Sequence, residues 1–82
     1  MAEKKIGIIT HFFDRISVGI IKLDGELKVG DKIKVKGSTT EFQQEVTEMQ
    51  YEHEAIKSGK KGQEVGIKTN EKVREGDEVF LI

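Results

Sequence analysis

The 82-residue chain carries 14 basic and 15 acidic residues, a net charge of −1, so no global field draws it to nucleic acid or to an anionic membrane. Its length allows one domain, residues 1–82, around a single modest core; with 35% hydrophobic residues, one tyrosine and no tryptophan, that core is largely aliphatic. The absence of cysteine excludes disulfides, thiolate metal sites and cysteine nucleophiles together.

The segment MAEKKIGIIT has too short an apolar run for a signal peptide or a membrane span, which makes a cytoplasmic location the expectation. Lys5 to Phe13 reads as a first strand, broken by Asp14-Arg15, and Ile16 to Leu23 as a second. Asp24-Gly25 is a two-residue hairpin signal. After a link over Glu26 to Gly30, Asp31 to Lys36 forms a third strand, and Gly37-Ser38 turns the chain. Thr39 to Tyr51 reads as one long fourth strand in which Phe42 and Val46 share a face. A bulge near Thr47-Glu48 would return Met49 to that face. Glu52 to Gly62 is a charged connection with room for a helical turn, Glu64 to Thr69 a fifth strand, and Asp77 to Ile82 the last.

One motif occurs twice: LKVGDKIKV from Leu27 and VREGDEVFL from Val73. In each, an apolar residue, a basic residue, a variable residue and Gly-Asp precede an alternating strand. Glycine supplies the positive φ of a tight turn, and the aspartate is expected to hydrogen-bond the backbone just after it. Short alternating strands entered through such turns predict an all-β fold. The expected form is a small closed or nearly closed antiparallel barrel, since closure removes sticky edges.

From Ile6 to Ile82 the chain resembles domain 2 of the translational GTPases, the barrel of elongation factor Tu. The resemblance rests on VGIIKLDGELKVGDKIKV, the Thr39-Thr40 pair, Glu48-Met49, the GQEVGIK block and VREGDEVFLI, in the family's order. It implies a translation-factor type of barrel, binding RNA (tRNA or rRNA) or a translation-associated protein. By the same resemblance, Glu48 stands where the family's glutamate meets the terminal adenine of tRNA. Tyr51 and Glu64 replace a family arginine and asparagine. Glu48, Tyr51 and the Gly62–Gly66 block, with Gln63 and Glu64, would line the inherited surface. No GxxxxGK[ST] stretch is present, so no GTP binding is expected.

Lys32, Lys34 and Lys36 alternate on one strand face and, with Lys28, form a basic stripe able to follow a phosphate backbone or simply to solvate the surface. Phe12 and Phe13 are adjacent, so in a strand only one faces the core and the other is offered to a partner, unless both cap the barrel end. His11 and His53 have no second ligand at metal spacing, and Ser17, Ser38 and Ser58 have no nucleophile context. Lys57 has too little chain after it for a biotinyl or lipoyl domain. The expectation is a stand-alone, non-enzymatic module without cofactor or metal. The alternative is a barrel that docks to another protein or domain, as similar barrels appended to translation factors and some bacterial peptidases can. A ribosomal SH3-like barrel would share the Gly-Asp turn.

Overall fold

The computed structural model describes residues 4–38, 40–52 and 54–82; Thr39 and His53 of the sequence analysis lie outside them. Ten short strands are formed: β1 Lys4–Phe13, β2 Val18–Leu23, β3 Leu27–Lys28, β4 Lys32–Lys36, β5 Glu41–Glu45, β6 Met49–Tyr51, β7 Glu54–Ile56, β8 Ser58–Gly59, β9 Glu64–Lys68 and β10 Glu78–Leu81. Eight of them make one antiparallel sheet in the order β5-β4-β10-β1-β2-β9-β6-β7, and β3 pairs with β8 in a second, two-stranded sheet. The large sheet curls over a core of Ile6, Ile9, Ile21, Leu23, Ile33, Val35, Val65, Ile67 and Val79, none more than 2% exposed. Each such side chain contributes about 1.5–3 kcal/mol by leaving water.

Alternation positions these residues. In β2, Gly19, Ile21 and Leu23 face inward while Val18, Ile20 and Lys22 face outward. In β4, Ile33 and Val35 are buried and the lysines point out.

The Gly-Asp motif folds into a defined device. Lys28 N–H donates to Asp31 Oδ2 at 3.0 Å, and Asp31 N–H donates back to the Lys28 carbonyl at 3.1 Å. Arg74 and Asp77 repeat this at 2.9 and 3.1 Å. The carboxylate therefore reaches three residues backward, not forward as the sequence suggested, because the left-handed Gly30 (φ 99°) and Gly76 (φ 93°) fold the chain onto its own preceding amide. The sequence analysis missed a third copy. Lys60 N–H donates to Gln63 Oε1 at 2.8 Å, Gln63 N–H donates to the Lys60 carbonyl at 3.1 Å, and Gly62 has φ 91°.

All three turns clamp one residue from elsewhere in the chain in the same way. The glycine N–H donates to the carbonyl of Val46, Leu23 or Ile9, and the N–H of that same residue donates to the carbonyl of Asp31, Gln63 or Asp77. These bonds measure 2.7–2.9 Å. Each captured residue is a buried aliphatic, 1–2% exposed.

The clamps account for several departures from the expected elements. Asp24-Gly25 does not make a hairpin: Leu23 is held by the Gly62-Gln63 turn, Asp24 N–H donates to the Ile6 carbonyl, and β2 and β3 fall in different sheets. The long fourth strand breaks instead of bulging, because the first turn takes both backbone groups of Val46; the chain re-enters as β6 beside β9. The charged connection forms β7 and β8 in place of a helical turn. The barrel is open, not closed, because β5 and β7 end the sheet on opposite sides. A buried side chain ties β5 to the end of β9: Gln44 Nε2 donates to the Lys68 carbonyl and Gln44 Oε1 accepts from Asn70 N–H, both at 2.8 Å.

Gly37 makes the closest approach to a clamp, since a Cβ there would lie 2.0 Å from Asp77 Oδ1. Gly37→Ala is expected to displace the buried carboxylate from Arg74 N–H and cost about 3 kcal/mol. Gly76→Ala has open space around its Cβ and loses only the left-handed preference, about 1–2 kcal/mol. Urea unfolding of both variants checks the order, and the Gly37→Ala penalty should shrink when Asp77 is also replaced by glycine.

Candidate functional site

The outward face of β9 carries a groove built by a missing side chain. Gly66 lies between Ile20 of β2 and Gln50 of β6 in the sheet register. With no Cβ, it forms a floor over which the β2 side chains lean: a Cβ there would stand 3.1 Å from Val18 Cγ1 and 3.3 Å from Ile20 Cδ1. The groove encloses about 230 Å³ and is lined by Phe13, Ile16, Val18, Ile20, Gln50, Glu52, Glu64 and Gly66.

Its two ends differ chemically. The β1–β2 loop presents Phe13 and Ile16, 51% and 61% exposed, although both are large and apolar. Glu64 lies two residues along β9 from Gly66, and Glu52 follows β6 on the same side. Glu64 Oε2 accepts a 3.4 Å hydrogen bond from Thr10 Oγ1. Among the described residues neither carboxylate has an ion-pair partner, and Lys22, which faces Glu64 in register, lines a neighbouring hollow with Lys5 and Lys61.

The loop is held in place. Ser17 is left-handed (φ 55°), and its carbonyl accepts from both Thr69 N–H (2.8 Å) and Thr69 Oγ1 (3.3 Å). Thr69 is buried, so the exposure of Ile16 is imposed by an anchored turn.

The predicted site residues are dispersed. Phe13 and Glu64 meet in the groove. Phe12 packs against the core, and Tyr51 does likewise, half-buried. Gln63 is used by the third turn. Glu48 lies on the link between β5 and β6, beside a separate hollow with Val29, Met49 and Ile56. Lys28 pairs with Glu26 at 3.7 Å and Lys34 with Glu41 at 3.3 Å. Lys32 and Lys36 stand opposite Glu45 and Glu41 on β5, so the basic stripe lies beside an acidic strand. His11 is exposed, 3.4 Å from Glu75 and stacked on Phe13. Among the described residues no three His, Cys, Asp or Glu side chains gather as metal ligands, and no helix is long and apolar enough to cross a membrane. Ile16, Val18, Ile20, Gln50 and Glu52 were not evident as site residues in the sequence. The available signal was Gly66 inside a strand, but its partners become known only with the register.

Comparison with known proteins points away from translation. No protein-family model matches the chain. It is 43% identical over 79 residues, 95% of its length, to an uncharacterized protease of Methanocaldococcus jannaschii, of which the match covers 19%. It is 37% identical over 77 residues, 92% of its length, to a collagenase of Porphyromonas gingivalis, of which the match covers 21%. The chain thus spans about a fifth of the length of the curated relatives it matches. Its fold is that of the C-terminal domain of a Geobacillus thermoleovorans protein assigned as a U32 peptidase. The TM-score is 0.89 at 12% identity, covering 94% of this chain and 98% of that one; a second crystal structure of the domain gives 0.90.

These findings overturn the assignment to the translational GTPases and, with it, the RNA-binding translation module. They also correct the expectation of a stand-alone, non-enzymatic module, since the similar proteins are named protease and collagenase. The resemblance misled because Gly-Asp turns and interior glycines report backbone geometry, which unrelated functions share.

The strained turns give a stability test. Ser17→Gly and Glu52→Gly relieve left-handed backbones at φ 55° and 53°. Each variant is expected to match or exceed the parent by up to about 1 kcal/mol in urea unfolding. A loss of that size in either would mean that the side chain, not the backbone, holds the turn.

Proposed function

We propose that the chain is the barrel unit of a U32-type peptidase and serves proteolysis by engaging polypeptide. The observation that carries this reading is the 43% identity to a protease across 95% of the chain. The fold shared with a C-terminal domain of a U32 peptidase supports it, at an identity that speaks for fold alone. The groove on β9 adds a surface suited to the task, with exposed Phe13 and Ile16 at one end and carboxylates at the other. An anchored apolar groove binds a side chain with little ordering cost.

A transplant tests the proposal. In the Porphyromonas gingivalis collagenase, the 77 matching residues are replaced by this chain or deleted. The replacement is expected to keep gelatin cleavage within about tenfold of the parent, and the deletion to lose it or raise KM sharply. Full activity with unchanged KM in a folded deletion variant would remove the barrel from proteolysis.

A further inference from the structure

Among the described residues, the two non-glycine positions with left-handed backbones both border the β9 groove. Ser17 (φ 55°) precedes β2 and Glu52 (φ 53°) follows β6, the two strands that flank β9. Such conformations cost about 1–3 kcal/mol each, persist only where surrounding contacts over-determine them, and concentrate at binding sites. Here one sets out Ile16 and the other places a carboxylate, so both strained residues shape the same surface.

The register supplies a ruler. Val18 pairs with Lys68, Ile20 with Gly66 and Lys22 with Glu64, so the groove passes from its apolar end, over the glycine floor, to its acidic end in steps of two residues. Each step is roughly 6.7 Å, which is also the spacing of same-face side chains in an extended peptide. A cavity of about 230 Å³ holds one large side chain. An occupant seated over Gly66 would therefore carry its next same-face side chain to Glu64 and Glu52, beside Lys22, where the two carboxylates complement a cation.

We infer that the groove binds an extended segment of substrate polypeptide carrying a large aliphatic or aromatic residue and, two positions away, a lysine or arginine. The apolar side chain lies on Gly66 between Ile20 and Gln50, with Ile16 and Phe13 against its outer side. The cation sits between the two carboxylates. The inference rests on the peptidase reading for the source of the peptide, while the chemistry of the groove is independent of it.

The test uses this chain alone and fluorescein-labelled pentapeptides of sequence Ala-Leu-Ala-Lys-Ala, Ala-Leu-Ala-Glu-Ala and Ala-Ser-Ala-Lys-Ala, followed by fluorescence polarisation. The first is expected to bind saturably, and the second and third about tenfold more weakly. Ile16→Ser should weaken binding of the first peptide about fivefold, the loss of roughly 1 kcal/mol of apolar contact. Glu52→Gln with Glu64→Gln should weaken it about threefold and flatten its salt dependence, as for exposed charge pairs. Circular dichroism confirms that each variant is folded, and amide shifts should centre on Ile20 and Gly66. Equal affinity for the lysine and glutamate peptides, an unchanged Kd in folded Ile16→Ser, or shifts centred elsewhere would overturn the inference. So would absence of binding, including the case in which the groove becomes protected inside the collagenase transplant and proves to be a seam between domains. The transplant reads activity and the titration reads binding, so the failure of either is distinguishable from the failure of the other.

Discussion

Three four-residue turns organise this fold. Each uses a left-handed glycine to bring a side-chain oxygen back onto its own preceding amide, then offers an N–H and a carbonyl to one residue from elsewhere in the chain. The captured residues, Ile9, Leu23 and Val46, are buried aliphatics, so every clamp joins a hydrogen-bonded turn to the core. Burying an unpaired backbone group costs about 1–3 kcal/mol, and at each captured residue the clamp satisfies both. The break after β5 and the departure of the chain from β2 at Leu23 both fall where these clamps sit.

The same constraint explains why a strained surface persists. The third turn holds Leu23 on β2, and β2 lies beside β9 from Val18–Lys68 to Lys22–Glu64. With that pairing secured and Ser17 tied to Thr69, the β1–β2 loop keeps Ile16 in solvent. Gly66 belongs to the same arrangement, because the strand that carries the groove gives up a side chain to make its floor.

The peptidase connection and the translation-factor resemblance concern different levels of the molecule. Gly-Asp turns, interior glycines and period-two strands describe how a backbone curls, and barrels of unrelated function share them. Identity of 43% across 95% of the chain concerns the side chains themselves, and it relates them to a segment of a protein named as a protease. The lysines of β4, which as a sequence fit either a phosphate track or a solvated face, lie in the sheet beside Glu41, Gln43 and Glu45 of β5.

Much of the backbone was legible in the residues. The two Gly-Asp turns, the inward Ile33 and Val35 and the break after Phe13 are local, set by φ preferences and period-two alternation. The third turn escaped because glutamine replaces aspartate at Gln63 and reaches the same amide with its longer side chain. Asp24-Gly25 misled because a dipeptide encodes a bend but not which strand receives the chain after it. The split of β5 from β6, the Gln44 bridge and the open edge depend on contacts between residues far apart in the chain. The groove is of the same kind: Phe13, Ile20, Gln50, Glu52 and Glu64 become neighbours only once β2 and β6 are set on either side of Gly66. Local propensity is written residue by residue and can be read directly, whereas register is decided by competition among long-range pairings, which only the folded chain resolves.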